Sequence, residues 1–245
     1  MNLLLIDPEE ISSDGHVILN DRRSEHILNI LKAKVGDLIS AGIINGAIGK
    51  TKILKINNKS GIIEINFKKD EKIKNPKPLN LTLIAALPRP KIASRIIRNC
   101  SEYGIKEIHF INSFKVEKSY WQSPLIKKRN IRNQLLYGLE QSVDTALPSV
   151  NLHDRFKPFV EDELRNISLN KNLFVAHPDK SKKIFSSKTL EDKSNSVIII
   201  GPEGGFIKYE IDLLKKNSCK IINLGPRIYR TENALSTLVT LLSYN

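Results

Sequence analysis

Apolar positions change their period partway along the chain. Between Leu38 and Phe67 the apolar runs are short: Leu38–Ala41, Gly46–Ile56 and Gly61–Phe67. Alternation is visible in places, with Asn45-Gly46 and Asn57-Asn58-Lys59-Ser60-Gly61 as turns between the runs. This pattern predicts strands joined tightly, and a small β-barrel. One short helix is expected inside it, His26–Lys32, with Ser24 as its cap. Residues 68–79 are charged and hold Pro76 and Pro78, so they read as a linker. Beyond them, apolar runs at 81–87, 107–111, 173–176, 197–200 and 220–224 alternate with helical patterns at 91–103, 124–142, 207–217 and 231–243. Such alternation predicts an α/β domain with a parallel sheet covered by helices. The expected division is 1–74 and 75–245.

Composition narrows the chemistry. The two cysteines of the 245-residue chain, Cys100 and Cys219, exclude a disulfide scaffold and a cysteine-based zinc site. The five histidines show no ligand spacing, so no metal is expected. No apolar run is long enough to span a bilayer, and the N-terminus lacks the basic flank of a signal peptide. A cytoplasmic protein without membrane contact is expected. The formal charge is +13. It is concentrated, since residues 77–132 hold twelve Lys or Arg against only Glu102, Glu107 and Glu117. A concentrated excess points to a nucleic-acid partner.

Two loops stand out. Gly201-Pro202-Glu203-Gly204-Gly205-Phe206 and Leu224-Gly225-Pro226-Arg227-Ile228-Tyr229-Arg230-Thr231-Glu232-Asn233-Ala234 each follow a strand and open a helix. Ligands of open α/β sheets bind at carboxyl strand ends. The first loop is neither a Walker nor a dinucleotide fingerprint, because Phe206-Ile207 stand where Lys-Ser would be expected and the glycine spacing is wrong. It suits a ligand held by main-chain hydrogen bonds, and the 24-residue spacing between the two Gly-Pro loops lets both lie at the same sheet edge.

These two loops resemble those of the SPOUT methyltransferases, and within them the 16S rRNA (uracil-N3)-methyltransferases, the ribosomal RNA small subunit methyltransferase E family. His26, Ile30-Leu31-Lys32, Gly36-Asp37, Glu102, Gly104-Ile105, Glu140-Gln141-Ser142 and the stretch Asn112–Trp121 with Pro124 extend the resemblance over the whole chain. The chain departs from that pattern at Lys32 and Lys115 (arginine in the family), Asn99 (lysine), Val143 (arginine) and Asn233 (threonine).

The resemblance implies a C-terminal SPOUT-type trefoil-knotted parallel-sheet domain, its knot at about 173–245, after a small N-terminal PUA-like RNA-binding β-barrel. It implies a homodimer that takes S-adenosyl-L-methionine and methylates uracil N3 in 16S rRNA of the 30S subunit. The implied cofactor residues are Ala176, His177, Ile200, Gly201, Glu203, Gly204, Gly205, Leu224, Gly225, Ile228, Arg230, Thr231 and Ala234. Arg230 and Glu232 are the catalytic candidates: Arg230 for charge on the uracil oxygens, and Glu203 or Glu232 for a proton or a cofactor hydroxyl. Arg22, Arg23, His26, Lys32, Arg89, Lys91, Arg95 and Arg98 are the RNA-binding candidates. Two other readings stay open: a SPOUT methyltransferase acting at another rRNA or tRNA position, and an inactive RNA-binding or ribosome-assembly protein.

Overall fold

The computed structural model describes residues 1–179, 184–186 and 195–243. Positions 180–183, 187–194 and 244–245, which fall inside the span expected to form the knot, lie outside the described residues. The chain packs as two compact units, Met1–Lys77 with Leu136–Leu147, and Pro78–Leu135 with Pro148–Asn245. Segment 136–147, which a boundary at 74/75 leaves in the second part, thus packs with the first.

In the first unit, five strands form one mixed sheet: β1 (Leu4–Ile6), β2 (His16–Leu19), β3 (Leu38–Ile43), β4 (Ile48–Asn57) and β5 (Ile62–Lys69), in the order β1-β3-β4-β5-β2. Only β1 runs parallel to its neighbour, β3; the other pairings are antiparallel. This sheet fits a small barrel. Period-two alternation sends Ile53, Ile63, Ile65 and Phe67 into a core shared with Leu4, Ile6, Val17 and Leu19. The other face of β1 is buried too, where Leu3 and Leu5 meet Ile44, Ile48 and Leu139. Burial on both faces hides alternation, so β1 has no strand signature in the sequence.

Three expectations are corrected here. The short helix runs from Arg22 to His26 and continues as a π-type turn, Ile27–Leu31. Its cap is Asp21, whose carboxylate accepts from the Arg23 amide, rather than Ser24. The charged segment 68–79 is no free linker. Lys68 and Lys69 close β5 against Lys50 and Gly49, and Asn75 is fixed by its hydrogen bonds to Gly46 O and Thr145 Oγ1.

The second unit is a six-stranded sheet: β6 (Leu79–Ala86), β7 (Ile105–Ile111), β8 (Ser149–His153), β9 (Asn172–Ala176), β10 (Ser196–Ile200) and β11 (Lys220–Ile222). Its order is β11-β9-β10-β6-β7-β8, and every pairing is parallel. Strands β6 and β10 are buried nearly throughout, as a parallel sheet covered on both faces requires. The helix Pro90–Tyr103 starts with proline in its first turn, stops at Gly104 (φ 81°), and buries Ala93, Ile96, Ile97 and Cys100 along one stripe. The helices Lys208–Lys216 and Thr231–Ser243 follow β10 and β11. Edge strand β8, Ser-Val-Asn-Leu-His, is mostly exposed and carries no apolar run, so its sequence does not announce it. The expected helix 124–142 breaks at extended Lys127 into a 3-10 turn, Pro124–Ile126, and a helix, Lys128–Ser142.

Candidate active site

Three strand ends meet in the second unit. Ile200 and Ile222 both pair with Ala176, so β9, β10 and β11 stop at the same level. The segments that follow, 177–178, 201–206, 223–225 and 227–229, line an open cavity of ≈180 Å³ together with Ala176, Ile200, Thr231 and Ala234. Gly205 (φ 71°) and Gly225 (φ 122°) adopt backbone angles that favour glycine, and a Cβ at either would project into open space. The turn Pro202–Gly205 is closed by a 2.7 Å bond from the Gly205 amide to the Pro202 carbonyl.

Side chains tie these loops together. Asn223, buried at the end of β11, accepts from the Gly225 amide (3.0 Å) and donates to the Asp179 carbonyl (3.1 Å), fixing the first loop to the third. Glu203 accepts from the Arg89 amide (3.2 Å), joining the second loop to the segment after β6. Lys115, in the loop after β7, donates to the Gly204 carbonyl at 2.6 Å. Glu210 is buried in the first turn of its helix, accepting from the amides of Ile207 (3.0 Å) and Phe114 (2.8 Å) and from Ser113 Oγ (3.2 Å). Its carboxylate thereby locks the loop after β7 to the loop after β10. Burial pushes the His177 imidazole below its ordinary range, with Asp179 opposing and Lys215 adding to the shift.

Every cofactor residue expected from the sequence lines this cavity except Arg230, which is exposed. Glu232 is half-buried in the first turn of the last helix and does not line it either. Pro178, which continues the expected Ala176-His177 loop, lines it as well, and Pro202, Phe206, Asn223, Arg227 and Tyr229 line it without having been named as cofactor residues. Asn223 sits two residues before Gly225, the spacing of an Asx turn, which is the local signal for its role.

The RNA-binding candidates divide. In the second unit Arg89, Lys91, Arg95 and Arg98 are exposed. The last three follow one face of the helix Pro90–Tyr103, and Arg98 donates to Gln134 Oε1 (2.7 Å). In the first unit Arg22 forks onto Glu140 at 2.6 and 2.9 Å, with its guanidinium 4.6 Å from the Tyr137 ring centroid. Arg23 is buried, bonded to Glu10, Asp21 and the Leu5 carbonyl. Both guanidinium groups are thus engaged within their own unit. Lys32 is exposed, and His26 is held below the ordinary imidazole range by desolvation and by the N-terminal ammonium. Among the described residues no group of three or more His, Cys, Asp or Glu is placed to hold a metal ion, and no helix is long and apolar enough to cross a membrane.

Residues 75–243 match the RNA methyltransferase domain family. The chain is 31% identical to ribosomal RNA small subunit methyltransferase E 1 of Borreliella burgdorferi, covering 96% of this chain and 94% of that protein. The chain belongs to the ribosomal RNA small subunit methyltransferase E family. It is 29% identical to the family member of Treponema pallidum, over 96% of this chain and 87% of that protein. A crystal structure of the Neisseria gonorrhoeae member bound to S-adenosyl methionine shares the fold, with a TM-score of 0.77 over 98% of this chain and 96% of that one, at 19% identity.

Proposed function

We propose that this protein methylates N3 of a uracil in 16S rRNA of the small ribosomal subunit, with S-adenosyl-L-methionine as donor. The observation that carries the reading is the convergence of three loops from level, adjacent strand ends on one cavity, with bare main chain at Gly205 and Gly225. The lining of that cavity fits a nucleoside cofactor, because Gly205 and Gly225, both at positive φ, lie in its wall with no Cβ to cover their main-chain groups. Main-chain groups around Ile200–Gly205 and Leu224–Ile228 are the partners for its base and sugar. When bound, the cofactor supplies an electrophilic methyl group on sulfonium sulfur.

The chain's own residues orient the acceptor. Displacement at carbon requires alignment, so the fixed loops act mainly by holding geometry. Uracil N3 must lose a proton, and charge then grows on the flanking oxygens. Arg230, exposed just before the last helix, is assigned to stabilise it. Glu203 and Glu232 are the candidates for holding a proton or a cofactor hydroxyl. N3 lies on the pairing edge, so the target base is unpaired or turned out of its helix. Arg89, Lys91, Arg95 and Arg98, with Lys32, supply the cationic contacts to phosphate, and His26 adds a ring N–H as a hydrogen-bond donor. Arg22 and Arg23 hold the first unit together.

Strand β10 inserts between β9 and β6, although β7 and β8 precede it in the chain. This order supports reading the second unit as a trefoil-knotted SPOUT domain. The mixed sheet of the first unit supports a PUA-like barrel, with 1–74 and 75–245 as the functional partition. A cytoplasmic homodimer completes the reading.

Mass mapping of 16S rRNA from a strain lacking the gene tests it, beside calorimetric titration of the protein with S-adenosyl-L-methionine. Loss of one uridine methyl mark and a saturable heat are expected. Persistence of every such mark, or no heat, overturns it.

A further inference from the structure

A second cavity, ≈340 Å³, opens in the second unit at the carboxyl ends of β7 and β8. Its walls are aromatic: Phe114, Trp121, Phe156 and Tyr209, flanked by Lys118 and Lys157. Phe114 is 78% exposed, an unusual position for a phenyl ring. Yet its backbone is fixed, because its amide donates to Glu210, a carboxylate with 3% exposure. The ring is therefore presented to solvent from an immobilised turn. Trp121 is oriented as well, its indole N–H donating to Asn112 Oδ1 at 3.2 Å.

This cavity lies beside the first. Lys115, next to Phe114, donates to the Gly204 carbonyl, and the Phe156 and Phe206 ring centroids lie 5.8 Å apart, Phe206 lining the glycine-loop cavity. Open aromatic faces beside ammonium groups match a planar base on an anionic backbone. An apolar peptide has no use for the lysines, and a bare phosphate has no use for the ring.

We propose that the Phe114–Trp121 cavity stacks an unpaired nucleobase of the RNA substrate, a neighbour of the methylated nucleotide, with adjoining phosphates on Lys118 and Lys157. The target base itself must reach the glycine-loop cavity, so this one takes another. The inference rests on reading the glycine-loop cavity as the methyl-transfer site.

Trp121 is the only tryptophan of the chain, so its emission reports on this cavity alone. The full-length protein is titrated with oligouridylate and with an abasic oligomer of equal charge. Quenching by the base-bearing oligomer, little by the abasic one, and an affinity about tenfold weaker in Phe114→Ala are expected. Phe114→Tyr restores the affinity, and calorimetric S-adenosyl-L-methionine binding is unchanged in both variants. With rRNA as substrate, Phe114→Ala raises KM more than it lowers kcat. Equal quenching by both oligomers, no quenching by either, or wild-type affinity in Phe114→Ala overturns the proposal. Intact base-dependent quenching with every rRNA methyl mark persisting would instead sink the methyl-transfer reading and leave the base site standing.

Discussion

The Lys115 ammonium donates to the Gly204 carbonyl at 2.6 Å, and a Cβ on Gly204 would lie 2.8 Å from Lys115 Cδ. The glycine is thus kept bare by a lysine folded over it from a different strand end. Gly204→Val must displace that side chain, which breaks the bond that ties the loop after β7 to the glycine loop lining the cavity. Loss of S-adenosyl-L-methionine binding is expected, read by calorimetry. Lys115→Met keeps most of the stem but not the charge-assisted bond. Weakening by about 1 kcal/mol is expected, a modest figure because the lysine is exposed.

Asn223 serves two loops with one amide, and neither a carboxylate nor a methyl group replaces it. In Asn223→Asp the Gly225 amide keeps an acceptor, while the Asp179 carbonyl faces an oxygen instead of N–H. Asn223→Ala leaves both main-chain groups without this partner. Cofactor affinity is expected to fall by about 1–2 kcal/mol in each, with thermal stability falling more in the alanine variant. Equal cofactor affinity across the wild type and both variants would show that the third loop holds its shape without this residue.

How much of this was legible in the sequence follows from how local each signal is. The two Gly-Pro loops are written in consecutive residues, and the positive φ at Gly205 and Gly225 is a single-residue demand. Their meeting depends on strand order, yet the repeated strand–loop–helix pattern already put both at carboxyl ends. Lys115, Glu210 and Asn223 act through partners that only folding brings close: Lys115 and Gly204 are 89 residues apart, and Glu210 and Phe114 are 96 apart. Strand β8 has no apolar run because it is an exposed edge, and β1 shows no alternation because both faces are covered. Arg22 and Arg23 illustrate the converse. Composition counts them as free cations, whereas Glu140, Glu10 and Asp21 hold them in place.

Glu210 offers a test of how far the site depends on one buried carboxylate. It satisfies the amides of Ile207 and Phe114 and the Ser113 hydroxyl at once. Glu210→Ala removes all three acceptor contacts and the favourable charge at the helix start. A loss of about 3 kcal/mol in unfolding free energy is expected by urea titration. Glu210→Gln retains one acceptor oxygen and should cost about half as much. A small loss in Glu210→Ala would mean that water replaces the carboxylate freely.

Val143 closes the helix Lys128–Ser142 in the left-handed region, φ 57°. The Asp144 amide bonds back to the Leu139 carbonyl at 3.1 Å, the Schellman arrangement that ordinarily has glycine at this position. A β-branched residue is strained there, and the side chain is more than a third exposed, so little packing compensates. Val143→Gly should therefore stabilise the protein by about 1 kcal/mol, after allowing for the greater freedom of glycine in the unfolded chain. A fall in Tm would contradict the strain argument.

His109 and His153 stack across β7 and β8, with His109 Nδ1 3.0 Å from His153 Nε2. His109 Nε2 meets Glu107 at 3.2 Å, while His153 Nδ1 lies 3.1 Å from Glu163. Burial pushes the His109 imidazole below its ordinary value of 6.5, with Glu107 opposing and His153 adding to the shift. In Glu107, burial raises the pKa, but hydrogen bonds from His109 and Thr82 and the charge of Lys171 outweigh it, so the carboxyl lies below its ordinary 4.5. For both groups the unfolded chain binds protons more readily than the folded one. Unfolding free energy must then fall as the medium is acidified. The His109 penalty is absent above pH 6.5, grows below it, and levels off once the folded imidazole is also protonated. The stabilisation from Glu107 is complete above pH 4.5 and disappears as its lower folded value is passed. Urea titrations at pH 7.5 and 5.5 should show a clear loss for the wild type and a smaller difference for His109→Gln, even though that variant starts less stable. Equal differences in the two proteins would remove His109 from the account of acid sensitivity.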